Sequence, residues 1–168
     1  MRTRSLDSPL GGDLRISSMN DSPASMPMGM RGGCACGAVR YEAEGPIEEA
    51  HHCHCSVCRR FHGAAFATYA RVRTKKLRFV SGRDQLRELR SSTHVTRSFC
   101  GACGSSLLFA HAAVPQVVWI AAGTLDDDTA TSVAPDAHVF VGSKASWWAI
   151  TDALAQHEGQ RPEYARDE

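Results

Sequence analysis

Seven cysteines in a chain of 168 residues fall into three tight clusters, and their spacing limits what the chain can fold into. Cys34 and Cys36 lie in GCACG, Cys53, Cys55 and Cys58 in HHCHCSVC, and Cys100 and Cys103 in CGACG. C-x-x-C-G reads as a zinc knuckle: a tight turn points both sulfurs at one metal, and Gly104 can supply the positive φ that such a turn needs. In C-x-C, residues two apart on an extended chain share a face, so Cys34 and Cys36 can also reach one ion. Two pairs make four thiolates, which predicts a closed tetrahedral zinc site of structural role. Such a site ties the start of a domain to a turn more than sixty residues later, and closing so long a loop removes much unfolded-chain entropy. Buried free cysteines that act as small hydrophobes are the alternative, but packing does not explain two glycine-flanked close pairs.

That leaves Cys53, Cys55 and Cys58, an awkward number. One loop carries both a C-x-C and a C-x-x-C, so it can present three sulfurs to one metal. Zinc with three protein ligands and an open fourth position is the pattern of catalytic sites. Three thiolates outweigh the charge of Zn²⁺ by one, which makes the ion a weaker Lewis acid than an all-histidine site does. The chemistry that suits it is binding and activating a thiol rather than generating hydroxide. Two other arrangements stay open: partial occupancy, or a histidine that completes a Cys₃His site. His62, four residues past Cys58, reaches if a helical turn follows, whereas His52 and His54 should point to the opposite face. Arg59 beside Cys58 can offset thiolate charge or bind a substrate carboxylate, and Arg60 reads as solvated.

The net charge of +1 and the lack of a lysine-arginine run argue against nucleic acid as a partner. No stretch approaches the ~18 apolar residues needed to cross a membrane, nor does an apolar signal core stand out. The expectation is a cytoplasmic protein, where thiols stay reduced and clustered cysteines mean metal or catalysis before disulfides. Residues 1–29 are rich in Ser, Gly, Pro and Met and are expected to form a disordered tail. One domain is expected over residues 30–158, followed by a C-terminal tail over 159–168.

Alternation and turn signals predict a mainly β fold of antiparallel sheets. Strands are expected at 39–44, 65–72, 76–80, 86–90, 95–99, 106–110 and 139–141, and at 117–122, whose continuous apolar run reads as buried on both faces. One short C-terminal helix is predicted over 147–156 from the spacing of Trp147, Ile150 and Leu154. Trp147 and Trp148 read as core, one buried and one partly exposed. Asp126, Asp127 and Asp128 read as a solvated turn. His94, His111 and His138 have no partner nearby in sequence, so a structural or surface role is expected.

Four blocks, GGCACGAVRYEAEG, HCHCSVCRRFHGA, SFCGACGSSL and HVFVGSKASWW, resemble the glutathione-dependent formaldehyde-activating enzyme family, which shares its domain with centromere protein V. They cover roughly residues 31–155. The resemblance implies an Mss4-like, zinc-stabilised fold with two zinc ions. The first is structural, on Cys34, Cys36, Cys100 and Cys103. The second is catalytic, on Cys53, Cys55 and Cys58, with its fourth position for substrate or water. The implied activity is the addition of glutathione to formaldehyde, a reaction grouped with carbon-sulfur lyases. It gives Lys144 a candidate role as an anion contact for the carboxylates of glutathione. A non-catalytic zinc module that binds a protein partner is the alternative reading; it requires a filled fourth position and an exposed apolar patch.

Overall fold

The computed structural model describes residues 29–130 and 133–162. The expected N-terminal tail before residue 29, and residues 163–168 of the expected C-terminal tail, lie outside them.

The described chain is mainly β. Strands β1 (Met30–Gly33), β2 (Arg40–Ala43) and β5 (Leu77–Ser81) form a small antiparallel sheet in the order β1-β2-β5. The large sheet comprises β3 (Glu49–Cys53), β4 (Ala67–Arg73), β6 (Leu86–Arg90), β7 (Val95–Cys100), β8 (Ser106–His111), β9 (Val117–Ala121), β10 (Ala137–Val139) and β11 (Ala155–Gln156). Its order is β11-β10-β3-β4-β9-β8-β7-β6. Its pairs are antiparallel, except that β10 runs parallel to both β3 and β11.

The period of two in the strands divides the core. In β9 every residue is buried, as the apolar run predicts. Val118 and Ile120 join Tyr41, Phe79 and Leu107 in a core that also holds Cys34 and Cys100. Val117, Trp119 and Ala121 face the other way and pack with Tyr69, Val139, Cys53 and Cys58. One strand therefore backs both cysteine groups with apolar surface, following the alternation of side chains along a strand.

The helix is not where the apolar spacing placed it. Residues 147–154 are irregular chain with a turn at Trp147 and a bend at Asp152, and Ala155–Gln156 pair with β10 as a strand. Asp152 explains the break. Its carboxylate accepts from the Leu154 N–H at 3.0 Å and from His138, giving the backbone an alternative to a helical ladder. Without a helix to bury them, Trp147 and Trp148 are 71% and 39% exposed, so neither is core. The helix that forms is α1 (Ser56–His62), inside the second cysteine cluster. The strand expected at 139–141 ends at Val139, because Phe140 takes a positive φ of 57°. The turn at Asp126–Asp128 is tied down by ion pairs from Asp126 to Arg40 and from Asp128 to Arg31. Contacts also continue past residue 158: Arg161 is buried and pairs with Asp136.

Candidate metal centres and the adjoining cavity

All seven cysteines are free thiols. They form two groups, Cys34, Cys36, Cys100 and Cys103 in one and Cys53, Cys55 and Cys58 in the other, and within each group the sulfurs lie within 4.8 Å of one another. The donor set fits a soft or borderline cation such as zinc in both places.

In the first group, positive φ at Gly37 (74°) and Gly104 (77°) closes the two turns, the latter as the knuckle motif predicts. The Cys34 and Cys36 sulfurs are 3.4 Å apart, and Cys36 lies 3.9 Å from Cys100. The Val39 N–H donates to the Cys34 sulfur at 3.2 Å. Burial works against a Cys34 thiolate, but that N–H and the neighbouring thiols hold its pKa below the ordinary value. Cys103 is brought down to about 5, first by the Ser105 hydroxyl and then by backbone N–H groups. These contacts favour thiolates at Cys34 and Cys103, the protonation state that a metal needs, whereas Cys36, despite the Ala38 N–H, is raised to about 11 by its hydrogen bonds with Cys34 and Cys103.

The second group is built from a strand, a loop and a helix. Cys53 ends β3, and His54, next in the loop, donates its N–H to the Val139 carbonyl at 2.9 Å. Cys55 caps α1: its sulfur accepts from the Cys58 N–H at 3.3 Å. Gly63, in the left-handed conformation, closes the helix. One residue thus serves both as a candidate ligand and as an N-cap. Hydrogen bonds from the Cys53 and Cys58 thiols bring the Cys55 pKa down to about 2, while Cys53 is pushed well up by donating to Cys55. The trio shares its protons unevenly around Cys55, in the place where a cation would replace them.

The expected helical turn after Cys58 forms, yet His62 does not join the group. Its Nε2 lies 2.9 Å from the Tyr69 hydroxyl. Arg97 Nη1 donates to that same hydroxyl oxygen at 3.0 Å, which leaves the Tyr69 O–H to donate to a neutral His62. Burial, and then the Arg97 charge, lower the His62 pKa to about 4. Among the described residues, no fourth Cys, His, Asp or Glu completes the group.

Arg97 is the residue that sequence reasoning missed. It is 5% exposed. Its Nη2 donates to the Cys58 sulfur at 3.4 Å and its Nε to Ser91 Oγ at 3.0 Å. Its guanidinium lies over the rings of Phe61 and Phe109, at 5.4 and 5.6 Å from their centroids. Burial works against its charge, but the neighbouring Cys58 sulfur and Tyr69 oxygen outweigh it and raise its pKa. The signal available in VTRSFC was a charged residue sharing a strand face with Val95 and Phe99. On the far side of the loop a second relay forms. Asp152 accepts from His138 Nε2 at 3.0 Å, and His138 Nδ1 lies 2.8 Å from His54 Nε2. This gives His138 the structural role expected for it. His54, wholly buried, is brought down to about 4 by burial and then by His138.

The three sulfurs line a cavity of about 370 Å³. Phe109 and Trp119 stack in its wall, with rings 4.7 Å apart and 3° from parallel, and Val95, Val114 and Phe140 add apolar surface. His51, His94 and His111 also line it. His51 shares the β3 face of Cys53 and hydrogen-bonds Glu49 through Nδ1 at 2.9 Å. The predicted substrate contacts Arg59 and Lys144 are not in the lining. Arg59 donates to the His54 and Ser143 carbonyls at 3.2 and 3.1 Å, and Lys144 to the Trp148 carbonyl at 3.3 Å.

Fold and site together define a two-sheet β domain with two cysteine groups able to hold metal, one of them opening on a cavity. The sequence profile of the glutathione-dependent formaldehyde-activating enzymes matches residues 29–143, more than half of the chain. The chain belongs to that family. It is also similar to a crystal structure of a Rhodobacter sphaeroides protein, with 32% identity and a TM-score of 0.51 over 58% of this chain and 89% of that one.

Proposed function

We propose that the protein adds a thiol such as glutathione to a small aldehyde such as formaldehyde, giving an S-hydroxyalkyl product by carbon-sulfur lyase-type chemistry. Zinc is the metal proposed for both groups. The observation that carries this reading is the trio Cys53, Cys55 and Cys58, which has no fourth ligating partner among the described residues and lies in the wall of a cavity. A protein-interaction module calls for a filled fourth position instead.

Cys34, Cys36, Cys100 and Cys103 would hold a structural ion, and Cys53, Cys55 and Cys58 a catalytic one. An ion held by Cys53, Cys55 and Cys58 would supply a lowered pKa for a substrate thiol. Arg97 balances negative charge at the Cys58 sulfur, so the pocket tolerates a further thiolate. Phe109, Trp119 and Val114 line the cavity beside the sulfurs with apolar surface. Addition requires one proton at the former carbonyl oxygen. Water, or His51 held by Glu49, is placed to supply it. Arg59 and Lys144, spent on backbone carbonyls, are proposed only as outer contacts for the carboxylates of glutathione. No helix among the described residues is long and apolar enough to cross a membrane, and seven free thiols suit a reducing cytoplasm.

The test is zinc per chain, followed by titration with glutathione while the thiolate-to-metal absorption of a cobalt-substituted sample is recorded. Two ions with one perturbed by glutathione is the expected result. Two ions that both ignore every thiol offered would remove the catalytic reading.

A further inference from the structure

The cavity beside the trio is larger than formaldehyde needs, and its lining is more apolar than the carboxylates of glutathione call for. Formaldehyde is one carbon and its oxygen, whereas about 370 Å³ falls in the range that holds drug-sized ligands. Glutathione brings two carboxylates, and the lining offers them little. Arg97, the one arginine or lysine there, commits its Nε, Nη1 and Nη2 to Ser91, Tyr69 and Cys58. His51 is held by Glu49. His94 and His111 stack on each other, 5.8 Å between centroids.

The walls match a different ligand. Phe109 and Trp119 present a stacked aromatic pair, and Val95, Val114 and Phe140 add apolar surface. Among the described residues Phe140 is the one non-glycine with positive φ, a conformation that costs a residue with a Cβ about 1–2 kcal/mol. The Phe140 N–H donates to the Gly159 carbonyl at 2.8 Å, which helps to hold the backbone there. Strain of this kind collects at ligand sites. An apolar wall suits a substrate with a hydrocarbon body.

We propose, resting on the thiol-aldehyde reading above, that this site makes thiohemiacetals bearing a bulky apolar substituent, of phenyl or branched-alkyl size, which the cavity encloses. The bookkeeping of the reaction is unchanged. The thiolate sulfur forms the S–C bond, the carbonyl π pair moves to oxygen, and that oxygen takes up the proton the thiol released. No oxidant or reductant enters. The substituent can arrive on the aldehyde or on the thiol, since both end on the same new carbon-sulfur bond.

The experiment compares kcat/KM for four pairs with the zinc-loaded full chain: formaldehyde with mercaptoethanol, formaldehyde with glutathione, benzaldehyde with mercaptoethanol, and formaldehyde with benzyl mercaptan. Each is corrected for the uncatalysed addition. At least one benzyl or phenyl pair is expected to exceed the first pair by 10-fold or more, in line with what a few buried carbons are worth in an apolar pocket. Whichever of the two exceeds it identifies the partner that carries the substituent. Val114→Phe, which fills part of the cavity, should lower the ratio of the favoured pair to the first pair about 10-fold. Equal values for all four pairs, or glutathione ahead of both apolar pairs, would overturn this inference and leave the thiol-aldehyde reading standing. No acceleration of any pair would overturn both.

Discussion

Arg97→Met removes a buried charge that touches a candidate metal ligand, and its consequence can be worked from the geometry. At 3.4 Å from the Cys58 sulfur, a unit charge pair in an effective dielectric of about 20 attracts by about 5 kcal/mol. Most of that is offset by taking the guanidinium out of water, which is why the net value is smaller. Partners that hydrogen-bond a metal ligand typically set 10–100-fold in metal affinity. We expect Arg97→Met to weaken zinc binding at the second group about 30-fold, roughly 2 kcal/mol. The first group should keep its affinity, because neither Cys100 nor its partners bonds Arg97. The assay is a chelator titration of the zinc-loaded protein, with Cys55→Ser run beside it to report the first group alone. General loosening of the fold would weaken both groups together, so the readout is the difference between them. Arg97→Lys keeps the charge but not the three-way fork, and should fall between parent and Met variant. A second-group affinity within 2-fold of the parent in Arg97→Met would refute the argument that this guanidinium balances the thiolates.

Cys55→Ser should lose one zinc and all thiol addition while melting close to the parent, since serine is itself a good N-cap for α1; a large drop in Tm in metal-free buffer would count against it. Cys103→Ser should instead lower the stability of the whole domain, because the first group joins Cys34 to a turn far along the chain; urea unfolding with and without zinc measures it. His62, held neutral by burial and by Arg97 with a pKa of about 4, binds fewer protons folded than unfolded between about pH 6.5 and 4. Stability should therefore fall as pH drops through that window, by up to about 1.4 kcal/mol per pH unit for this group. Comparing the pH slopes of the parent and His62→Gln isolates it, and identical slopes would contradict the assignment. Trp147→Ala, at a side chain 71% exposed, should change stability by less than about 0.5 kcal/mol, as differential scanning calorimetry can verify.

The cysteine groups were legible because chelation is local. C-x-C and C-x-x-C fix which sulfurs can meet, and the fold had only to bring Cys34–Cys36 beside Cys100–Cys103. Most strands were legible for a similar reason, since β2 writes its alternation and β9 its continuous apolar run into consecutive residues. What could not be read depends on contacts between distant segments. Residues 147–156 carry a helical apolar spacing, but the carboxylate of Asp152 is drawn to His138 on β10 and the chain turns there instead. Arg97 looked like one more strand arginine until β7 placed it beside Phe109 on β8 and α1 brought Cys58 within reach of its guanidinium. β3 was hidden because His51, His52 and Cys53 read as part of a chelating loop, although β4 and β10 flank them on both sides.

The two groups use the same donor atom and differ in what surrounds it, and that difference carries the functional argument. Around Cys34, Cys36, Cys100 and Cys103 the hydrogen bonds to sulfur come from backbone N–H groups, other thiols and the Ser105 hydroxyl, and Arg40 acts on Cys34 through its charge alone. Four thiolates would satisfy a divalent ion there and leave no position for a further ligand. Around Cys53, Cys55 and Cys58 the protein keeps His62 out of the group, by setting it on Tyr69, and supplies a cation in its place. A histidine would have filled the coordination sphere. A guanidinium adds charge balance without occupying it, and so suits a site that must accept one more anionic sulfur. The same arginine links the metal group to the cavity wall through the ring of Phe109. In the proposed reaction, the residue that makes room for a thiolate would thereby also hold the aromatic surface against which the rest of the substrate would lie.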